Sequence, residues 1–419
     1  MDGLDFASTG GLRSNGTHQY RKTVLMISID GLRADYLDRG FTPHLFEISQ
    51  VGLRAKFMRP IFPTLTFPNH WSLLTGLYAE SHGIVGNNFW DPVAETSFYY
   101  ADPKRSWNSS WWYGEPIWET LERAGVKTAN LMWIGPPETQ GGTSPTFFIP
   151  WRDKVPLREK HDQIMEWIDL PLEERPQLIL AYEPSLDQAG HSKGPGSKLV
   201  NDTLKQVDAF AKDIHSSLAA RNLSDIVDVI FVSDHGMADT SHPKWLYLDD
   251  FIGMEGLADI DHEDGWPSMG LRFSEHCNAT RYLEMLLAAA AENSDKFDVY
   301  THETMPERYH FSENYRIAPI YVVPKLGYAL TNRKESVGFF SKGNHGYDNQ
   351  EPSMHAVFVA DGPFVDHIKA RRSLRQGIYV MPGFQNVEVK SLVGKLLGVT
   401  VSRDSHNGTE GFWEGYLHN

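Results

Sequence analysis

The first strongly patterned stretch, Thr23-Val-Leu-Met-Ile-Ser-Ile-Asp30, is an apolar run without polar alternation that closes on an acidic residue and Gly31. Such a run predicts a strand buried on both faces of a parallel sheet. Gln177-Leu-Ile-Leu-Ala-Tyr182 and Ile226-Val-Asp-Val-Ile-Phe-Val-Ser233 repeat the design, leading into Glu183-Pro-Ser-Leu-Asp187 and Asp234-His235-Gly236. Carboxylates therefore recur where strands end, and open parallel sheets bind ligands at the carboxyl ends of their strands. Between these runs, helices are predicted over 42–50, 116–124 and 197–220, the last with Leu199, Val200, Leu204, Val207 and Phe210 at helical spacing. Helices near 278–291 and 386–397 and strands near 297–301, 317–323 and 355–361 follow. The alternation predicts an α/β fold, a mostly parallel central sheet sandwiched by helices. Residues 1–22 read as a flexible lead and 23–419 as a single domain without a linker or internal repeat. Residues 135–150, rich in Gly, Pro and Thr, read as a surface loop, either an insertion or a lip over a site.

Composition narrows the function classes. No apolar run approaches the ~18 residues of a membrane span, so no membrane contact by this chain is expected. Lys plus Arg total 39 against 54 Asp plus Glu, a net charge of −15 that argues against a polynucleotide partner. A small anionic substrate remains compatible if metal ions supply local positive charge. Cys277 is the one cysteine, which excludes an intrachain disulfide and a thiolate zinc cluster. Sequons at Asn15, Asn108, Asn201, Asn222, Asn278 and Asn407 favour an extracellular or lumenal glycoprotein, secreted or the ectodomain of an anchored one, although Met1 to Tyr20 is polar and shows no signal peptide.

The candidate chemistry centres on Phe62-Pro-Thr-Leu-Thr-Phe-Pro-Asn-His70. Pro68 suits a first helical turn, and the run to Gly76 predicts a short helix, so Thr66 is expected just ahead of a helix N-terminus. Free N–H groups and the positive dipole end there favour an alkoxide and a phosphate. A lone threonine is a poor nucleophile and is usually a cap or packing residue, so a Lewis acid is needed. Candidate ligands occur in small packages: Asp30, Asp187 with His191, Asp234 with His235, and His345 in Gly343-Asn-His-Gly-Tyr347. Each alone has an ordinary alternative, a turn for Asp-Gly or a hydrogen-bonded structural histidine.

Together, Ser28-Ile-Asp-Gly-Leu-Arg33, Pro63-Thr-Leu-Thr-Phe-Pro-Asn-His70, Glu80-Ser-His-Gly-Ile-Val-Gly-Asn87, Asp187-Gln-Ala-Gly-His191, Ser233-Asp-His-Gly-Met237 and Gly343-Asn-His-Gly-Tyr347 resemble the nucleotide pyrophosphatase/phosphodiesterase family of the alkaline phosphatase superfamily. The likeness runs from about Thr23 to Gly398 and covers the catalytic domain alone. It implies an alkaline-phosphatase-like core with loop insertions, two zinc ions and a threonine nucleophile. One zinc would be held by Asp187, His191 and His345, the other by Asp30, Asp234 and His235 with Thr66 bound to it. The amide of Asn87 and the N–H of Thr66 would stabilise a phosphate oxygen, and Phe67 and Tyr182 would flank a nucleobase. The implied substrates are small nucleotides such as triphosphates, dinucleotides and nucleotide sugars, cleaved to a nucleoside 5′-monophosphate through a nucleotidyl-threonine, by a monomer. The loop at 135–150 fits the nucleotide-hydrolysing members, whereas Leu65 stands where several members carry lysine.

A sulfatase reading fails because Cys277 lies in His276-Cys-Asn-Ala-Thr280, outside the sulfatase setting. A choline- or lipid-type phosphodiesterase would share the metal site and differ in the pocket. An inactive metal-binding interaction protein is the alternative from another class.

Overall fold

The computed structural model describes residues 11–334, 341–371 and 379–417. Thr23–Ile29 is a strand buried at every position, near the middle of an eight-stranded sheet. Across the sheet the order is Tyr379–Met381, Leu53–Ala55, Phe358–Asp361, Val227–Val232, Thr23–Ile29, Leu178–Glu183, Thr128–Leu131 and Phe147–Ile149. Every strand but Phe358–Asp361 runs in one direction.

Successive side chains of a strand point to opposite faces, and here both faces are dry. Val24, Met26, Leu178, Leu180, Ile230 and Val232 enter one core, while Leu25, Ile27, Ile179, Ala181, Val229 and Phe231 enter the other. Helices Thr66–Thr75, Ile117–Arg123 and Val389–Leu397 cover the first through Trp71, Leu74, Trp118 and Leu392. Pro43–Val51, Leu157–Ile168 and Lys198–Ala220 cover the second through Leu45, Ile48, Ile164, Val200 and Val207. Burying each such Val, Leu or Ile contributes ~1.5–3 kcal/mol, which is why an unbroken apolar run specifies a two-sided position in a sheet. The α/β sandwich is therefore the fold the pattern predicts, and its core is alkaline-phosphatase-like, as the resemblance implies.

Three expectations change. Residues 135–150 are not all loop, because Phe147–Ile149 forms the outer strand, parallel to Thr128–Leu131. The lead is ordered from residue 11: Arg13–Ser14 pairs with Gln19–Tyr20, and the Arg175 guanidinium lies 3.8 Å from the centre of the buried Tyr20 ring. One aromatic anchor docks a segment whose composition is polar, and the expectation for residues 1–10 lies outside the described residues. Leu199 points to solvent, one position off the buried stripe of its helix.

A smaller antiparallel sheet, Ile260–Asp264, Met269–Phe273, Ile320–Pro324 and Phe297–Tyr300 in spatial order, has its own core with helices Leu248–Ala258 and Ala279–Glu292. It is inserted between His235 and His345, so the chain leaves the large sheet, builds this unit and returns. Among the described residues no helix is long and apolar enough to cross a membrane.

Candidate active site

Asp30 follows strand Thr23–Ile29, and Asp234 and His235 follow Val227–Val232, so these groups stand at the carboxyl ends of adjacent parallel strands. Asp187 and His191 lie on helix Ser185–Lys193, where a spacing of four residues puts them on one side. His345 is returned to the site by the pairing of Gly343–Asn344 with Ala238–Asp239, and its ring stacks on His235 with centroids 3.5 Å apart.

Two groups of potential ligands result, Asp187 with His191 and His345, and Asp30 with Asp187 and His235, each with ligand atoms within 4.8 Å of one another. Asp234 adjoins the second, its Oδ2 3.0 Å from His235 Nε2. Thr66 Oγ1 is 3.1 Å from the same nitrogen. Each histidine is oriented by its other ring nitrogen. Nδ1 of His191 donates to Gly343 O (2.8 Å), that of His235 to Gly236 O (2.9 Å) and that of His345 to Thr64 O (2.8 Å). A carbonyl can only accept, so each Nδ1 carries a proton, and the neutral form of each ring turns its Nε2 lone pair toward the centre, as metal-ligating histidines do.

The residues fit metal ions by a test internal to the site. Among the described residues, Asp30 Oδ1, Asp187 Oδ1 and Asp234 Oδ2 are buried without a hydrogen-bond partner, and Nε2 of His191 and His345 face each other at 3.1 Å. Orphaned buried oxygens and opposed lone pairs are costly unless a cation lies among them. Burial, then the Asp234 and Asp187 charges, pushes the Asp30 carboxyl well above the usual carboxylate range. Burial opposes ionisation of Asp234 too, but His235 and His70 hold it well below that range. Burial, followed by His235, drives His345 down to about 3.

Thr66 is the first residue of helix Thr66–Thr75, a little earlier than the expected start, because Leu65 takes the extended cap conformation and Pro68 falls in the first turn where its missing N–H costs nothing. Gly76, at φ 66°, ends the helix. Phe67 N–H donates to Asn87 Oδ1 at 2.9 Å, so the amide's NH2 end is the one left for a ligand. His70 has a place that sequence reasoning missed. Its Nδ1 donates to Thr66 O (2.9 Å) and stands 3.4 Å from Asp234 Oδ2, while Ser28 Oγ lies 2.8 Å from Nε2.

Tyr182, expected to face Phe67 across a base, lies at the buried edge of the cavity. Tyr182 is 6% exposed, its hydroxyl donates to Asp30 Oδ2, and its ring packs edge-on against His70. The cause is strand periodicity, which sends Tyr182 to the same core as Leu178 and Leu180. The cavity above the site, about 720 Å³, is lined by Tyr182 at its base and by Phe67, Tyr100, Trp107, Trp133, Phe148 and Trp151. Trp151 is 47% exposed and Tyr100 45%. Their signal in the sequence was aromatic density around 100–112 and 147–151, without a spacing that would point it at the site.

Carboxylates and histidines gathered at strand ends, with a hydroxyl at a helix start beneath an aromatic cavity, define a metal-dependent hydrolase of the alkaline phosphatase superfamily. Residues 24–348 match the family described as type I phosphodiesterase / nucleotide pyrophosphatase, and the chain belongs to that family and its class of enzymes. An uncharacterized pyrophosphatase/phosphodiesterase of Schizosaccharomyces pombe is 38% identical over 98% of this chain and 83% of its own length. Human ectonucleotide pyrophosphatase/phosphodiesterase family member 1 is 34% identical over 94% of this chain but 42% of its own length, so the chain spans less than half of that relative. The solved structure of murine ectonucleotide pyrophosphatase/phosphodiesterase 5 superposes with a TM-score of 0.83 at 30% identity, covering 94% of this chain and all (100%) of that one. An inactive threonine-to-alanine form of the murine protein, in complex with AMP, gives 0.82 at 30% identity, over 95% of this chain and 100% of that one.

Proposed function

We propose that this protein is a two-zinc hydrolase that cleaves phosphodiester and pyrophosphate bonds of nucleotides, releasing a nucleoside 5′-monophosphate, with Thr66 as nucleophile. The observation that carries the reading is the convergence of unpaired oxygens of Asp30, Asp187 and Asp234 with Nε2 of His191, His235 and His345 beside Thr66 Oγ1. Nitrogen and carboxylate donors in this proportion suit zinc. Asp187, His191 and His345 would hold one ion, and Asp30, Asp234, His235 and Thr66 the other. When bound, such ions lower the pKa of a hydroxyl or a water and offset charge on the transferring phosphoryl group.

Thr66 Oγ, deprotonated, attacks phosphorus as the bond to the leaving oxygen breaks, giving a nucleotidyl-threonine. Water then cleaves that ester and restores the hydroxyl. Asn87 Nδ2 and the Thr66 N–H, which has no intrahelical acceptor at the first helical position, donate to a non-bridging oxygen. Phe67, with Tyr100 or Trp151, offers a ring face to the base, and such stacking is worth ~1–3 kcal/mol per base with little choice among bases. The AMP complex of the inactive murine relative supports both the nucleotide and the threonine. In this reading the protein is an extracellular or lumenal monomer, in keeping with its sequons.

The test compares a nucleotide 5′-aryl diester, an aryl phosphate and an aryl phosphorylcholine, with and without chelator. The nucleotide diester is expected to turn over fastest, and chelation to abolish turnover. Faster cleavage of the monoester or the choline ester would overturn the substrate assignment, and the latter would favour the aromatic walls as a quaternary-ammonium cage.

A further inference from the structure

One buried ion pair lies next to the site without belonging to it. Lys160, on helix Leu157–Ile168, is 2% exposed, and Glu183, the last residue of strand Leu178–Glu183, is 3% exposed. Lys160 Nζ donates to Glu183 Oε2 at 2.6 Å and to Tyr182 O at 2.9 Å. Burying two charges costs several kcal/mol each, and their attraction offsets this only with good geometry and further hydrogen bonds. Apolar residues of similar volume are often as stable or more so in such a place, so the pair is of interest for what its hydrogen bonds hold.

The further hydrogen bonds indicate that role. Glu183 Oε1 accepts from Ser185 N–H at 2.9 Å, at the first residue of the helix that carries Asp187 and His191. That helix has no side-chain cap from its own N-cap residue, Pro184, so the Glu183 carboxylate supplies the acceptor and favours the dipole end. Glu183 O accepts from Asp30 N–H at 2.9 Å. Tyr182, whose carbonyl Lys160 holds, donates its hydroxyl to the Asp30 carboxylate. The Asp30 turn and the Asp187 helix also touch directly: at Gly31, φ 68°, an added Cβ would lie 3.2 Å from Asp187 Cα. One residue therefore holds Asp30 by its backbone and the Asp187–His191 helix by its side chain.

We propose that Lys160 and Glu183 are positioning residues that set the two ligand clusters at the separation two metal ions require. The inference rests on the two-metal reading above. Supporting groups beyond the ligands typically change metal affinity by ~10–100-fold when removed. In Lys160→Met the Glu183 carboxylate loses its counter-charge, and in Lys160→Met/Glu183→Leu the pair gives way to apolar side chains. The apolar replacement often restores stability, yet it leaves Ser185 N–H without its acceptor.

The experiment titrates Zn2+ against a chromophoric chelator for parent, single and double variants of the full chain, with thermal unfolding of the metal-free proteins measured alongside. The parent is expected to bind two equivalents. Lys160→Met is expected to lose both stability and at least tenfold in affinity. The double variant is expected to regain most of the unfolding temperature and still bind at least tenfold more weakly, and Lys160→Arg to bind as the parent does. Parent-like affinity in the double variant, or its failure to fold, would make the pair a fold element only and overturn the proposal. A parent that does not bind two equivalents would instead defeat the two-metal reading itself.

Discussion

The floor and the wall of the cavity are built by opposite means. The floor consists of buried groups at strand ends and a short helix, and each histidine is fixed through its second nitrogen to a backbone carbonyl. Above Phe67 and the buried Trp133, the wall is made of partly exposed aromatic rings on loops and on the outermost strand, such as Tyr100, Phe148 and Trp151. A rigid floor would hold the proposed nucleophile within tenths of an ångström of its ligands, whereas a wall of aromatic faces would accept a flat group in more than one pose. The difference separates what the protein does to a phosphate from which phosphate it takes.

Substitutions in the two regions should therefore fail differently. Thr66→Ala, at the floor, is expected to lower kcat by on the order of 10³-fold or more. Its unfolding temperature and metal content should stay near those of the parent, and substantial turnover with metal retained would remove Thr66 from the chemistry. Asn87→Ala is expected to cost about 10²–10³-fold in kcat, as for a lost oxyanion donor, with some stability lost because the buried-side Phe67 N–H forfeits its acceptor. A change confined to KM would shift Asn87 from floor to wall.

At the wall, Trp151→Ala is expected to lower kcat/KM for nucleotide diesters by roughly 5–150-fold, the equivalent of ~1–3 kcal/mol of stacking. An aryl phosphate without a base should be hardly affected, and an equal loss on both substrates would mean that the ring shapes the floor. Tyr182→Phe provides the contrast, because it removes a hydroxyl from Asp30 and leaves the wall intact.

The last effect falls on stability rather than turnover and concerns the joint between the Thr66 helix and the Asn87 loop. His82 is fully buried, with Nε2 3.1 Å from Pro68 O and Nδ1 accepting from Ile84 N–H at 3.2 Å, a pattern only the neutral ring satisfies. Burial depresses its pKa to about 3. The unfolded chain therefore binds a proton near 6.5 that the folded chain refuses until about 3, so stability is lost as pH falls through that window, by at most about 1.4 kcal/mol per unit. Denaturant unfolding between pH 6.5 and 4 should show a shallower decline in His82→Gln than in the parent. Identical declines would place the acid sensitivity elsewhere.

The floor was far more legible in the sequence than the wall, for a physical reason. Apolar runs that end in Asp30 or in Asp234-His235 carry their own geometry, since a two-sided strand of a parallel sheet must deliver its last residue to the carboxyl edge. Tyr182 shows where that logic is incomplete: the alternation packs its ring with Leu178 and Leu180, and only the fold shows that the same ring also borders the cavity. Tyr100, Trp107 and Trp151 reach the cavity through turns that no periodicity describes. Glu183 reads in the sequence as one more strand-end carboxylate and Lys160 carries no signal, because their partnership exists only once the Leu157–Ile168 helix is laid on the sheet.

The central claim is a covalent threonine intermediate on a two-metal floor, and the stereochemical course at phosphorus tests it most directly. A nucleotide aryl phosphorothioate of one configuration is hydrolysed in isotopically labelled water, and the configuration of the product is determined. Two successive in-line displacements, first by Thr66 and then by water, predict overall retention; inversion would mean that water attacks phosphorus directly and would contradict the account.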